Sequence, residues 1–284
     1  MLPVKVHLID GTYELFRAFY GAPSAVVRGK EVGAARGMLR GFGALLRSGA
    51  VTHGGVAYDH VIESFRNELF AGYKTGEGID PPLLGQFELA ERVAAALGLR
   101  VWAMIDHEAD DALATAAHRL ADDPAVEQVI VATPDKDLCQ VVRGTRVVTW
   151  DRMRDRVFDE DGVHARMGVG PASIPDLLAL VGDDADGIPG LPRWGARSAA
   201  TVLGRYPHLE DIPRAGSWDV AVRGQAALQQ SLAAGWDDVL LYRRLATLVI
   251  DAPIETSLDA LAWRGPDRTA LAALCDELDT EPPL

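Results

Sequence analysis

Carboxylates carry the chemistry that this sequence offers. Glu108-Ala109-Asp110-Asp111 packs three acids into four residues, between the apolar run Val101 to Ile105 and the apolar-periodic segment Ala112 to Leu120. A strand that turns at Asp106-His107 into a helix places all three at a helix N-terminus. Acids in a first helical turn ordinarily complement the helix dipole, at a few tenths to about 1 kcal/mol each. That explanation does not cover the other strand-like runs, which also end in Asp. Val4 to Ile9 runs into Asp10-Gly11, Gly54 to Tyr58 into Asp59, and Val126 to Ala132 into Thr133-Pro134-Asp135-Lys136-Asp137. Carboxylates gathered at strand ends repel unless protonated or bridged by cations. Hard oxygen donors of this kind suit magnesium or manganese.

For those ends to gather, the strands must share one edge. Strands alternating with helices over Tyr13 to Tyr20, Ala34 to Arg47 and Pro81 to Leu97 predict an open, largely parallel α/β sheet flanked by helices. In such sheets the site lies beyond the carboxyl ends of the strands. A fifth strand, Thr145 to Trp150, ends at Asp151. Residues 60–80 show no clear periodicity and contain Phe65-Arg66-Asn67-Glu68 and Gly72-Tyr73-Lys74. Past residue 160 the strands stop, and helices are predicted over Ile174 to Val181, Ala196 to Tyr206, Trp218 to Ala233, Trp236 to Leu248 and Arg268 to Leu278. The expected organisation is an α/β domain over residues 1–160 and a helical subdomain over residues 161–284.

Within that helical half, residues 182–197 read as a helix–hairpin–helix: Gly182-Asp183-Asp184-Ala185-Asp186-Gly187-Ile188-Pro189-Gly190-Leu191-Pro192-Arg193-Trp194-Gly195 precedes Arg197. Glycines let backbone N–H groups approach phosphates at a helix N-terminus, and Arg193 and Arg197 add charge-assisted contacts. An ordinary Gly/Pro loop between helices has the same composition.

The net charge of −13 and the pI near 4.9 argue at first sight against a nucleic-acid binder. Metal-ligand carboxylates make a chain look acidic in a metal-free count, so a nucleic-acid surface would have to be local. The richest basic stretch runs through Arg193, Arg197, Arg205, Arg214 and Arg223, against Glu210, Asp211 and Asp219. There are four lysines: Lys5, Lys30, Lys74 and Lys136. Cys139 and Cys275 sit far apart in apolar surroundings and read as reduced, buried thiols of a cytosolic protein. No signal-peptide pattern is present, and no apolar run approaches the roughly 20 residues of a membrane span.

Taken in order, these motifs resemble the 5′-nuclease domain at the N-terminus of bacterial DNA polymerase I and the wider flap endonuclease family. The resemblance rests on Leu8-Ile9-Asp10-Gly11, on Tyr58-Asp59 with Ser64-Phe65-Arg66-Asn67-Glu68 and Tyr73-Lys74, on Glu108-Ala109-Asp110-Asp111, on Thr133-Pro134-Asp135-Lys136-Asp137, and on Gly182-Asp183 with Asp186. It implies a PIN-like catalytic domain, residues 60–80 as a helical arch, and a helical subdomain with the hairpin. It implies a two-metal nuclease acting on DNA with a free 5′ end or a 5′ flap. The metal carboxylates would be Asp10, Asp59, Glu108, Asp110, Asp111, Asp135, Asp137, Asp183 and Asp186. One Mg2+ or Mn2+ would sit near Asp10, Asp59 and Asp110, and the other near Asp135, Asp137 and Asp186. Lys74 would stabilise transition-state charge and Arg66 would hold phosphate, with Asp10 and Asp110 at the reacting centre. Arg17, Tyr73, Gly190, Arg193, Gly195 and Arg197 would touch DNA, and a K+ would rest on the hairpin's carbonyls. The resemblance further implies a monomer in the cytoplasm, at the nucleoid and away from membranes, working beside a separate DNA polymerase.

The sequence departs from the family at several points. Val61 and Glu77 replace basic residues, Ala185 and Gly187 replace Ser and Asn, and Arg193 stands where the hairpin has Gly. A haloacid dehalogenase-type phosphatase would share Asp10 but needs a nucleophilic Asp at position 8, which is Leu8. A PIN-type ribonuclease would share the acidic sheet edge without the long helical half. A catalytically weak nucleic-acid-binding relative would be expected to lose carboxylates.

Overall fold

A computed structural model describes residues Val4–Leu284. The chain divides into two compact units. One comprises residues up to Ser64, Gly76–Thr133 and Val249–Leu284; the other comprises Phe65–Thr75 and Pro134–Leu248.

The first unit is built on β1 (Val4–Asp10), whose Val6, Leu8 and Ile9 are completely buried. A strand covered on both faces reads as a continuous apolar run rather than an alternating one. A short antiparallel pair follows, β2 (Val26–Val27) and β3 (Lys30–Glu31). β4 (His53–Asp59) lies parallel beside β1, with Asp10 opposite Ala57. β5 (Arg100–Met104) lies parallel beside β4, with Met104 opposite Asp59. β6 (Val126–Ala132) lies parallel on the other side of β1, with Ala132 opposite Ile9. The order β5-β4-β1-β6 brings the carboxyl ends of these strands to one edge.

Helices Gly11–Gly21, Gly33–Arg47, Phe87–Ala96 and Ala109–Ala121 belong to this unit. In Gly33–Arg47 the stripe Met38, Leu39, Phe42, Leu45 and Leu46 is buried at helical spacing. The single helix expected from Pro81 to Leu97 is two, Pro81–Leu84 and Phe87–Ala96. The buried Gln86 fills the break: its side chain accepts from the Ala35 N–H and donates to the Pro82 carbonyl. The last segment also belongs here, which departs from the expected cut at residue 160. Helix Arg268–Glu277 is tied by the Arg92–Glu277 ion pair, and the Asp267 N–H donates to the Ala96 carbonyl.

The second unit contains the antiparallel pair β7 (Val147–Asp151) and β8 (Arg156–Phe158). Its helices are Phe65–Leu69, Glu160–Met167, Ile174–Val181, Ala196–Leu203, Gln225–Ala234 and Trp236–Ala246. They share a core that includes Leu178, Trp194, Leu203, Trp218 and Leu245. The helix expected from Trp218 begins only at Gln225. Trp218 is buried against Trp194, with ring centroids 6.0 Å apart, and its indole N–H donates to the Pro213 carbonyl. Residues 218–224 also favour a helix little, with two Val, an Asp and Gly224 at φ +78°. Among the described residues, no helix is long and apolar enough to cross a membrane.

Candidate metal centre and nucleic-acid interface

In the first unit Asp10, Asp59 and Glu108 at the strand edge are each held by a named neighbour. Asp10 caps helix Gly11–Gly21, its Oδ1 accepting the Tyr13 N–H at 2.8 Å. Its Oδ2 accepts the Thr133 hydroxyl at 2.9 Å. Gly11 is required beside it, because a Cβ there would lie 2.5 Å from the Tyr58 ring and 2.7 Å from the Ala57 carbonyl. The Asp59 N–H donates to Thr12 Oγ1, and Asp59 Oδ1 accepts the Ala109 N–H at 2.7 Å. Glu108 Oε1 accepts the Ser64 hydroxyl at 2.8 Å. Ser64, Thr133 and Thr12 thus orient acids, a task that sequence reasoning missed although all three lie inside or beside the motifs.

Asp111 departs from the expectation that it is a metal ligand like the others. It is completely buried, with Oδ2 accepting the Glu108 N–H at 3.0 Å and Oδ1 the Val249 N–H at 2.9 Å. Its carboxylate closes a capping box and pegs the returning chain, so it positions Glu108 and Asp110. Asp110 is partly exposed one residue before it.

In the second unit Asp137, Asp183 and Asp186 each offer an oxygen, and the three lie within 4.8 Å of one another. Asp135 Oδ1 accepts the Asp137 N–H at 2.9 Å, which sets the turn between them. Asp183 is held by reciprocal backbone hydrogen bonds with Ile188, both 2.8 Å. Asp137 is buried, and its Oδ1 has no hydrogen-bond partner. Burial pushes the Asp137 carboxyl well above the usual range, and the charges of Asp135, Asp186 and Asp183 push it the same way. A buried oxygen without a hydrogen bond among three close carboxylates fits a hard divalent cation. The three acids that close together are Asp137, Asp183 and Asp186, where the resemblance had grouped Asp135 with Asp137 and Asp186 and counted Asp183 among the remaining acids.

Lys74 is anchored by its backbone. Its N–H donates to the Asp186 carbonyl at 3.0 Å, and its own carbonyl accepts Asn67 Nδ2 at 2.9 Å. Its ammonium stands 2.9 Å from Asp186 Oδ1. This close approach explains Gly187, one of the departures from the family. The residue has φ +72°, and a Cβ would meet the Gly72 carbonyl at 2.2 Å.

The expectation that Arg66 grips phosphate is not met. Arg66 is 1% exposed, with Nε donating to the Leu245 carbonyl at 2.8 Å and Nη2 to the Thr247 carbonyl at 3.1 Å. Its guanidinium lies 4.7 Å from the Phe65 ring. It closes the C-terminal end of helix Trp236–Ala246, where carbonyls lack helical partners. Arg66→Ala should lower stability by roughly 2–3 kcal/mol, since the buried Leu245 carbonyl loses a charged donor at about 1–3 kcal/mol and the more exposed Thr247 carbonyl loses less. Urea unfolding measures this, and a loss below about 1 kcal/mol would contradict it. Tyr73 is likewise buried in the unit's core rather than offered to a base. Arg17 pairs with the buried Glu14 one turn earlier on its helix.

The hairpin leads into helix Ala196–Leu203, whose N-terminal Gly195 N–H donates to Ser198 Oγ. Arg193, Arg197 and Arg223 line one groove of about 730 Å³ with Gly195 and Ser198. The basic stretch is therefore shorter than its sequence suggested. Arg205 is paired with Asp219, and Arg214 stacks 3.7 Å from the Trp236 ring. Arg223 arrives from the irregular loop before Gln225, so spacing alone could not place it. Arg193 holds φ +72°, the left-handed conformation that a glycine adopts freely. Arg193→Gly should therefore raise stability by up to about 1 kcal/mol while removing one cation. A thermal melt that falls would show that the side chain, not the backbone, dominates there.

Sequence profiles identify what this arrangement is. The profile of the 5′-3′ exonuclease N-terminal resolvase-like domain matches residues 5–168, and that of the 5′-3′ exonuclease C-terminal SAM fold matches residues 169–269. The chain belongs to the 5′-3′ exonuclease family. Within it, the DNA polymerase I of Pseudomonas aeruginosa is 34% identical over 282 residues, covering 96% of this chain and 30% of that protein. The 5′-3′ exonuclease of Aquifex aeolicus is 29% identical over 276 residues, covering 96% of this chain and 92% of that one. The chain thus spans about 30% of the length of the polymerase relatives it matches. The exonuclease fold is also seen in the bacteriophage T5 flap endonuclease, solved in a pseudo-enzyme–product complex with DNA and metal ions. The two superpose with a TM-score of 0.68 at 16% identity over 97% of this chain and 96% of that one.

Proposed function

We propose that this exonuclease-family chain hydrolyses phosphodiester bonds of DNA at a free 5′ end or 5′ flap, using Mg2+ or Mn2+. The observation that carries the reading is Asp137 Oδ1, buried without a hydrogen-bond partner in a trio of carboxylates that closes within 4.8 Å. Asp137, Asp183 and Asp186 would hold one ion, with Asp135 fixing the turn. Asp10, Asp59, Glu108 and Asp110 form the acid set of the other unit and would hold a second. Bound divalent ions supply a nucleophilic water at neutral pH and neutralise charge on phosphate. The chain's own part is to fix the acids through Thr133, Thr12, Ser64 and Asp111, and to bring the Lys74 ammonium to the same loop as Asp186. Arg193, Arg197 and Arg223 would hold the duplex backbone.

The same reading takes K+ at the hairpin's carbonyls, and a separate DNA polymerase as the enzyme that fills behind it. Cleavage of a fluorescent 5′-flap DNA is the test, run with Mg2+, with Mn2+ and with chelator, beside single-stranded RNA. Metal-dependent cutting of the flap is expected. Cutting of RNA alone would favour the PIN-type ribonuclease, and binding of flap DNA without cutting would favour a catalytically weak relative.

The arginine groove makes a separate prediction. Arg193→Ala with Arg197→Ala should reduce the slope of log affinity against log salt by about two, since each lost phosphate contact removes roughly one. Anisotropy across a salt series, with Ca2+ in place of Mg2+, reads the slope. An unaltered slope would place the duplex surface elsewhere.

A further inference from the structure

Lysine ammonium groups already stand on the carboxylates of the second unit. Lys136 Nζ is hydrogen-bonded to Asp183 Oδ2 and lies 3.8 Å from Asp137 Oδ1. Lys74 Nζ lies 2.9 Å from Asp186 Oδ1. Each acid of the trio therefore has an ammonium within 4 Å, and the chain has only four lysines with which to do this. Three carboxylates this close, with Asp137 and Asp183 buried, are unfavourable without a counter-charge. An ammonium is a compact charge on a flexible stem, suited to fill in for a small cation and then leave. The Lys136 side chain is 41% exposed, which gives its head a way out to solvent.

A divalent ion on the same oxygens would stand within a few ångströms of these ammonium groups. Like charges at that distance in a partly buried site repel. We propose that Lys136 is a resident counter-ion of the Asp137–Asp183–Asp186 cluster that divalent metal displaces, so that metal binding is a cation exchange and frees the Lys74 ammonium from Asp186. The proposal rests on the metal reading above and goes beyond it by giving Lys136 a role and the metal-free cluster a state. In that state the acids stay folded together. The exchange lowers metal affinity below what three carboxylates alone would give.

The test needs no DNA and no turnover. Mn2+ is titrated calorimetrically into the full chain, as wild type, Lys136→Met, Lys136→Arg and Asp137→Asn. Lys136→Met should bind Mn2+ on the order of tenfold more tightly, the size of one screened charge interaction. Its metal-free form should melt lower, and its gain in melting temperature on adding Mn2+ should be larger. Lys136→Arg should stay near wild type. Lys136→Gln carries the same expectation if the methionine variant does not fold. Equal or weaker Mn2+ binding by both uncharged variants, with binding lost in Asp137→Asn, would overturn the exchange and leave the metal site standing. Unchanged binding in Asp137→Asn would overturn the metal site, and the exchange with it.

Discussion

Asp137→Asn is expected to lower metal-dependent cleavage by roughly three orders of magnitude while making the metal-free protein more stable. On the proposed reading the rate loss follows from removing a charged metal ligand, at the upper end of the effect of losing one electrostatic stabiliser. The stability gain follows from the direction of the carboxyl's shift. Burial and the neighbouring acids raise its pKa in the folded protein above the unfolded value. A raised carboxyl binds its proton more tightly in the folded state, so its contribution is favourable at low pH. That contribution is lost as pH rises from the ordinary carboxylate range through the raised folded value. Asn carries no such charge, so wild type and variant should melt together near pH 4 and separate by pH 7, with the variant higher. Melting curves in chelator across that range, beside single-turnover cleavage in Mg2+, give both readouts. A variant that is less stable at pH 7 would mean that the Asp137 carboxylate is well compensated without metal.

Lys74→Ala is expected to lower single-turnover cleavage by roughly two orders of magnitude and to leave DNA binding within a few fold. The separation is expected because the position is fixed by backbone bonds, from the Lys74 N–H to Asp186 and from Asn67 to the Lys74 carbonyl. Alanine keeps both and removes only the ammonium. Anisotropy in Ca2+ checks binding, and rapid-quench kinetics in Mg2+ checks the chemistry. Cleavage at the wild-type rate would make Lys74 a surface lysine on a loop. Cleavage and binding lost together would make it a grip on DNA.

The strand edge was legible because it follows from local chemistry. Each of Asp10 and Asp59 ends a short, mostly apolar run that reads as a strand before a turn, and Val126–Ala132 was bounded correctly on the same ground. The helix entered through Glu108-Ala109-Asp110-Asp111 was legible from its acids and apolar period. What could not be read were assignments set by distant partners. Asp111 looks like its neighbours until Val249 is seen to bond it across 138 positions. Arg66 has the type of a phosphate ligand, and only the carbonyls of Leu245 and Thr247 show where its donors go. Residues 218–224 carry two Val, an Asp and a Gly that favour a helix little, and the buried Trp218 ring adds a tertiary reason that the sequence does not show.

The chain passes between its two units at residues 64/65, 75/76, 133/134 and 248/249. Neither unit is a continuous stretch, which bears on how the protein can be made. During synthesis from the N-terminus, Phe65–Thr75 emerges before any of the other residues it packs with and must wait for the loop that carries Asp183 and Asp186. The first unit acquires its strand edge early, but the peg on Asp111 and the helix Arg268–Glu277 arrive with the last residues of the chain. The strand-edge acids are then the earliest part to form and the last to be locked. A ribosome stalled near residue 160 would hold neither unit complete, and a split of the gene at that point should give two fragments that recover structure only together.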